Sequence, residues 1–405
     1  MGGPGPGAAA AMPARGPAAA DLGARGSAAG QGAWIGAGRV AHLYVHLPFC
    51  AHRCGYCDFV TVVGREAQHG AYVDALLAEL ELERHMLAPS LDTIFLGGGT
   101  PSFTDPAALA RLLAGLPPAA EVTVEANPET VTPELAALLR EHGVDRVSLG
   151  AQSFQPHLLA TLERRAGPMA VRAAFAMLRA AGFDNLSLDL VYGIPGQSPA
   201  DLERDLAAAL ALEPEHISAY ELEAKPGTRF THAHGAELER QAAAMETYFE
   251  TVVATLTAAG LRWYETANFC RADPDRDLRS QHNLAYWLGR DYLGLGVGAV
   301  STVAATRWRN APSLPRYLDA LARHEPPARE LEPLDAETRA RERVLLALRL
   351  DEPLRLEGLV RSLDAEALAR LESLELVELL DCGRALALTR RGRFLGGGVT
   401  AALLA

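Results

Sequence analysis

Cys50, Cys54 and Cys57 fall within eight positions of the stretch FCAHRCGYCDF (49–59), in a 405-residue chain that holds only five cysteines. The spacing is C-x3-C-x2-C, and thiolates so grouped are metal ligands. Three thiolates on one loop leave the fourth iron of a [4Fe–4S] cube without a protein ligand. An open coordination position is what separates a catalytic metal site from a closed structural one. Zinc is the alternative. It prefers four ligands, and Cys270 and Cys382 are isolated and distant, so His46 or His52 would have to complete a Cys3His site. An odd, clustered set does not read as the disulfide framework of a small secreted domain and fits a reducing compartment.

A loop of this kind needs a rigid scaffold, and the rest of the chain supplies the pattern of one. Strands are predicted at 43–47, 92–96, 121–126, 146–151, 185–193, 216–223 and 262–269. Amphipathic helices are predicted near 71–87, 105–115, 132–143, 156–163, 168–181, 199–212 and 236–259. Thr132, Pro133 and Gly143 are the start and stop signals of one of them. Strand–helix alternation dictates parallel pairing through crossover helices. Six such units predict an α/β fold, a partial (β/α)6 barrel over residues 42–310. Cys50, the run 97–100, Glu125, Asn127, Gln152, Asp189, Tyr192, Glu221 and Glu223 all fall at or just after predicted strand C-termini. That end carries the active site in barrels of this type.

Beyond residue 310 the pattern changes. Helices at 335–350 and 364–376 and a hairpin turning at 381–384 predict a small, mostly helical, winged-helix-like C-terminal domain over 311–405. Residues 1–41 are dominated by Ala, Gly and Pro without apolar periodicity, which predicts a disordered tail. The tail has no apolar h-region, so a secretory signal is not expected. Its Arg-rich, acid-poor character keeps a mitochondrial transit segment open beside a cytoplasmic location. A net charge of −12 argues against nucleic acid as the partner. No apolar run reaches the roughly 18 residues of a membrane span.

The cysteine spacing after the first strand of a partial barrel resembles the signature of radical S-adenosylmethionine enzymes. Six motifs in order, YVHLPFCAHRCGYCDF, FLGGGTPS, VEANPE, SLGAQSF, LDLVYGIPGQ and HNLAYW, resemble the coproporphyrinogen III oxidase-like branch over about 43–390. Oxygen-independent coproporphyrinogen dehydrogenases typically carry a further cysteine two residues after the third. Phe59 stands there, which resembles the heme-chaperone side of the branch.

The resemblance implies a [4Fe–4S] cluster on Cys50, Cys54 and Cys57, with S-adenosylmethionine at the open iron. The reduced cluster would cleave that cosubstrate to methionine and a 5'-deoxyadenosyl radical. It also implies heme as cargo, a respiratory-chain acceptor protein, and an electron donor such as flavodoxin or ferredoxin. Coproporphyrinogen III decarboxylation stays open as the alternative activity. Cosubstrate contacts are implied at Tyr44, Gly98, Gly99, Thr100, Glu125, Gln152, Arg164 and Asp189. Glu125 suits ribose hydroxyls. Arg164 suits a carboxylate, although Arg165 beside it competes for the role. The bland readings are a tight turn for the glycines, a half-buried strand residue for Tyr44 and a buried structural acid for Asp189. His282 is the candidate axial ligand for heme, since imidazole is a common one, and Cys270 is the second candidate. A histidine that orders its loop against Tyr286 and Trp287 is the alternative.

Overall fold

The structure, a computed structural model, describes residues 39–225 and 229–404. Residues 1–38 of the predicted tail lie outside the described residues. The last of the tail is in place: Val40 is buried, and its backbone pairs with Met86 and Ala88.

One nine-stranded sheet organises the chain. Its strands are β1 (His42–Leu47), β2 (Leu91–Gly98), β3 (Ala119–Ala126), β4 (Arg146–Gln152), β5 (Leu186–Tyr192), β6 (His216–Glu221), β7 (Leu261–Glu265), β8 (Asn268–Arg271) and β9 (Leu293–Leu295). The order is β9-β1-β2-β3-β4-β5-β6-β8-β7. Neighbours from β9 through β6 pair in parallel, and β8 and β7 close the far edge as an antiparallel hairpin. The crossovers are α1 (His69–Glu83), α2 (Pro106–Gly115), α3 (Pro133–Glu141), α4 (Pro156–Thr161), α5 (Pro168–Ala180) and α6 (Pro199–Leu210), then α7 (Arg229–Gln241) and α8 (Met245–Ala258). The start signal of α3 works as expected: the Thr132 hydroxyl accepts from Leu135 N at 3.2 Å with Pro133 in the first turn.

Alternation along the strands divides the sheet into two faces. Leu43, Val45, Leu47, Ile94, Leu96, Val124, Val147, Leu149, Leu186 and Leu188 join the helices in one apolar core. The positions between them are Tyr44, His46, Thr93, Phe95, Thr123, Glu125, Arg146, Ser148, Ser187, Asp189, His216 and Ser218. Strands of an all-parallel sheet usually read as unbroken apolar runs, because both faces are packed with apolar side chains. A polar inner face is therefore a feature of this barrel that function must explain.

Two elements differ from expectation. The stretch 262–269 is a hairpin and not one strand. Glu265 makes the turn, accepting from Ala267 N at 2.9 Å and Asn268 Nδ2 at 2.6 Å. The single helix expected at 236–259 is two, α7 and α8, joined by a 3-10 turn at Ala242–Ala244. HNLAYW forms a further helix, α9 (Gln281–Trp287).

A second apolar cluster gathers Val344, Leu348, Leu356, Leu371, Leu376, Leu386 and Leu403. Helices Ala336–Ala347 and Ala365–Ser373 precede the strands Val377–Leu380 and Ala385–Leu388, which pair around the turn expected at 381–384. A separate three-stranded sheet pairs Thr306–Asn310 with Arg329–Pro333, so pairing runs across residue 310. The C-terminal part is tied to the barrel edge at several points. Arg262 pairs with Asp351 at 2.7 Å, Arg349 with Glu265 at 2.6 Å, and the Arg393 guanidinium lies 3.7 Å from the Trp263 ring centre.

Candidate functional site

The cysteine loop leaves the C-terminal end of β1, and Cys50 is the most buried of its three thiols. The Thr100 hydroxyl lies 3.4 Å from Cys50 Sγ. Asn127 Nδ2 donates to the same hydroxyl at 3.0 Å. Arg164 Nη2 donates to Asn127 Oδ1 at 2.9 Å and to Gly150 O at 2.8 Å, while its Nη1 reaches Cys54 Sγ at 3.8 Å. The chain of contacts thus runs from Cys50 through Thr100, Asn127 and Arg164 back to Cys54. It joins the ends of β1, β2, β3 and β4. A cleft lined by Ala51, His52, Cys54, Thr100, Asn127 and Arg164 opens beside it.

Two glycines are required for the approach of β2 to this loop. Gly98 has φ +110°, and a Cβ there would come within 2.4 Å of the His46 ring. A Cβ on Gly99 would lie 2.5 Å from Pro48 O. Any side chain at either position would push the loop away from the strand end. Gln152 adopts φ 64°, rare for a side-chain-bearing residue, where a bulge shifts the register between β4 and β5. The bulge lays its amide over Gly150 beside Arg164 and Asn127.

Deeper on the inner face, Glu125 Oε2 accepts from Gly98 N at 3.1 Å. Enclosure by protein, with Asp189 nearby, raises its carboxyl to about 8. Asp189 is raised by burial too, although Ser148 Oγ donates to both its oxygens at 3.0 and 3.1 Å. Burial pushes the Cys50 thiol up to about 11, against the lowering effect of Thr100. Tyr44 stacks on Phe95 and bonds its hydroxyl to His46 Nδ1 at 3.0 Å. His46 Nε2 donates to Val60 O at 2.9 Å, so both of its nitrogens are engaged and burial lowers its pKa to about 4.

These residues suit the group that the cysteine spacing implies. The donor set is three free thiols on one loop, with an arginine and a hydroxyl directed at two of the sulfurs. The Arg164 Nε is buried without a partner beside the cleft. A Cys3His zinc site is served less well. His46 is committed, and His52 Nε2 bonds to Glu163 O.

Arg164 and Arg165 both line the cleft; Arg164 is drawn into the contact chain, and Arg165 is exposed. Asn127, noted in the sequence only for its place at a strand end, is the hub of the network. Ser148, which donates to Asp189, also belongs to the site; it falls inside the SLGAQSF motif without being singled out there. Tyr192 does not belong: it faces outward and stacks on Phe249. His282 is not brought to this site. It lies at the N-terminal end of the strands, fully buried, with Nδ1 bonded to Thr93 Oγ1 at 2.7 Å and Nε2 to Tyr286 OH at 2.8 Å. Burial lowers its pKa to about 3, and the geometry is that of a histidine ordering its own segment. Cys270 is buried in an apolar cluster with Tyr264, Leu278 and Leu284, its thiol raised to about 11.

The Radical SAM superfamily model matches residues 44–209, the part of the chain that carries the cysteine loop and β1–β5. The heme chaperone HemW of Mycobacterium tuberculosis is 41% identical over 377 residues, covering 89% of this chain and 94% of that protein. The chain belongs to the HemW family of radical SAM proteins. The Bacillus subtilis heme chaperone HemW is 34% identical over 380 residues, covering 89% of this chain and 98% of its own. Likeness in fold extends outside the HemW family. The coproporphyrinogen III oxidase HemN of Escherichia coli superposes with a TM-score of 0.76 at 23% identity over 90% of both chains. The partial α/β barrel with its central parallel sheet is therefore the fold of this chain.

Proposed function

We propose that this chain is a heme chaperone that holds a [4Fe–4S] cluster and S-adenosylmethionine and passes heme to a respiratory protein. The observation that carries the reading is the contact chain Cys50–Thr100–Asn127–Arg164–Cys54, found in a chain so similar to HemW chaperones. Cys50, Cys54 and Cys57 would hold the cluster. When bound, it supplies electron transfer and an open iron position. The chain's own residues do the rest. Loading a metal displaces thiol protons, and the raised Cys50 thiol needs iron itself to drive that step. Arg164 and Thr100 offset thiolate charge, and Arg164 is also suited to the cosubstrate carboxylate. Gly98 and Gly99 bring backbone close to the cosubstrate amino end. Glu125 accepts from ribose hydroxyls, and Gln152, Asp189 and Tyr44 are the further cosubstrate contacts of this reading.

Phe59, where a porphyrinogen dehydrogenase carries another cysteine, favours the chaperone over the decarboxylase. Heme at His282 would require α9 to release the ring from both Thr93 and Tyr286, so the heme reading rests on the HemW relatives and not on that residue. The cytoplasm, where thiols stay reduced, is the compartment the reading requires. Among the described residues no helix is long and apolar enough to cross a membrane. The test is anaerobic reconstitution followed by heme titration with and without S-adenosylmethionine, alongside an assay of coproporphyrinogen consumption. Stoichiometric heme binding without porphyrinogen turnover supports the chaperone. Turnover without heme binding overturns it.

A further inference from the structure

Arg146 opens β4, the central strand of the sheet, and is among the most completely buried side chains of the protein at 1% exposure. Among the described residues its guanidinium makes no hydrogen bond, and its Nε is buried without a partner. Among the described residues no carboxylate oxygen comes within 4.0 Å of it to form an ion pair. A buried cation without a partner is costly, and proteins rarely keep one unless its charge serves a purpose.

Register shows where the charge acts. Arg146 lies opposite Thr123 of β3, one inward step before Ser148. Ser148 lies opposite Glu125 on one side and Ser187 on the other, and its hydroxyl holds both oxygens of Asp189. The guanidinium therefore lies on the same inner face as the two carboxylates, toward the N-terminal end of the strands. Burial disfavours charge on both of them, Asp189 adds repulsion at Glu125, and the field of Arg146 opposes these effects on both. Arg164 lies at the opposite, cysteine-loop end of the strands, where it contacts Cys54, Asn127 and Gly150.

Other groups share the field. Around Arg146 they are Glu121 and Glu125 of β3, Asp145, Asp189 of β5, His216 of β6 and Tyr264 of β7. His216 is held neutral between Ser187 Oγ and Tyr264 OH, both at 2.8 Å. Glu121 is turned toward the backbone N–H groups of Gln281 and His282, both at 3.3 Å. Around Glu125 stand Asp189, Tyr44, Tyr220 and Tyr286. None of these three tyrosines is a cation, so Arg146 is the counter-charge this carboxylate has from below.

We infer that Arg146 is a positioning residue of the cosubstrate site, the buried cation whose charge favours the ionised form of the Glu125–Asp189 pair and so its acceptance of hydrogen bonds from a ligand's hydroxyl groups. The inference rests on the proposed S-adenosylmethionine reading and extends it to a residue that does not touch the ligand.

The experiment measures S-adenosylmethionine affinity of the reconstituted, full-length protein by equilibrium dialysis from pH 6 to 9. Wild type, Arg146→Met, Arg146→Lys and Glu125→Gln are compared. In Arg146→Met the pH at which binding falls should move up by about one unit, making affinity roughly tenfold weaker at pH 7 and restoring it near pH 9. Arg146→Lys should keep the wild-type profile. An unchanged profile in Arg146→Met overturns the inference. So does failure of both Arg146→Met and Arg146→Gln to fold while Arg146→Lys folds and binds, since the cation would then serve the barrel floor and not the cosubstrate. Undiminished binding by Glu125→Gln likewise overturns the inference, since the ribose contact would then lie elsewhere; absence of binding by the wild type instead overturns the underlying cosubstrate reading.

Discussion

Thr100 holds its hydroxyl 3.4 Å from the sulfur of Cys50. Asn127 donates to the hydroxyl oxygen, which leaves the Thr100 proton free to be given to a Cys50 thiolate. The glycine-rich end of β2 and the cysteine loop of β1 are thereby one unit, and perturbing either should be read at the metal. Thr100→Val keeps the shape and removes the O–H···S contact. We expect iron content to hold while the reduction potential of the reconstituted cluster falls, on the order of tens of millivolts, because hydrogen bonds to sulfur favour the reduced state. A redox titration followed by electron paramagnetic resonance measures it, and an unmoved potential would show that the contact is packing only.

The three cysteines should behave as a set. Wild-type protein reconstituted anaerobically should carry about four irons and four sulfides, with absorption near roughly 400 nm. Changing Cys50, Cys54 or Cys57 singly to Ala should abolish that band, whereas Cys270→Ala and Cys382→Ala should retain it. Iron analysis decides, and full iron in any of the first three variants contradicts the assignment.

Glu125→Ala removes the carboxylate held by Gly98 N. S-adenosylmethionine binding should weaken by about 1.5–3 kcal/mol, as for a hydrogen bond to a charged group. Calorimetry on a variant with intact cluster is the measurement. Unchanged affinity would move the ribose contact elsewhere.

His282→Ala leaves Thr93 and Tyr286 without their common partner in the barrel floor. Loss of two buried hydrogen bonds should lower stability by about 2–4 kcal/mol, seen as a lower urea midpoint. The Soret band of the heme-loaded protein should not move. A shifted Soret band at unchanged stability would make His282 an axial ligand after all.

Glu79 on α1 is fully buried and accepts from Gly296 N at 2.8 Å, Asn310 Nδ2 at 2.7 Å and Tyr317 OH at 2.6 Å. Burial outweighs these donors and raises its carboxyl from 4.5 to about 7. A raised acid binds its proton more tightly folded than unfolded. Its contribution to stability is therefore complete below about 4.5 and lost as pH rises to about 7. Denaturation at pH 5 and pH 7.5 should show a larger fall for wild type than for Glu79→Gln. Equal falls would mean that Glu79 is ionised throughout.

Much of the site could be read in the chain itself, because its signals are local. The spacing of Cys50, Cys54 and Cys57, the glycines at the end of β2, and polar residues one step past an apolar alternation need no partner to be recognised. The same holds for the α3 boundary, where Thr132 and Pro133 act on their own turn. Long-range relations were beyond that reach. Nothing in the neighbours of Asn127 says that it bridges Thr100 and Arg164. Arg164 and Arg165 differ only in which way the chain turns after α4. Glu265 splits a predicted strand because its carboxylate folds back onto the turn, a contact that periodicity does not record.

His282 shows the limit most clearly. A histidine among aromatic residues reads as a ligand until the fold supplies Thr93, 189 positions away, as its partner. Arg146 shows the reverse case: the strand 146–151 is legible in the sequence, but nothing in that segment says that its arginine is buried. Local chemistry determined the cysteine loop, the alternating faces and the family. Only the closing of the sheet decided which charges are buried together, since burial and distance belong to the assembled barrel and not to any segment of it.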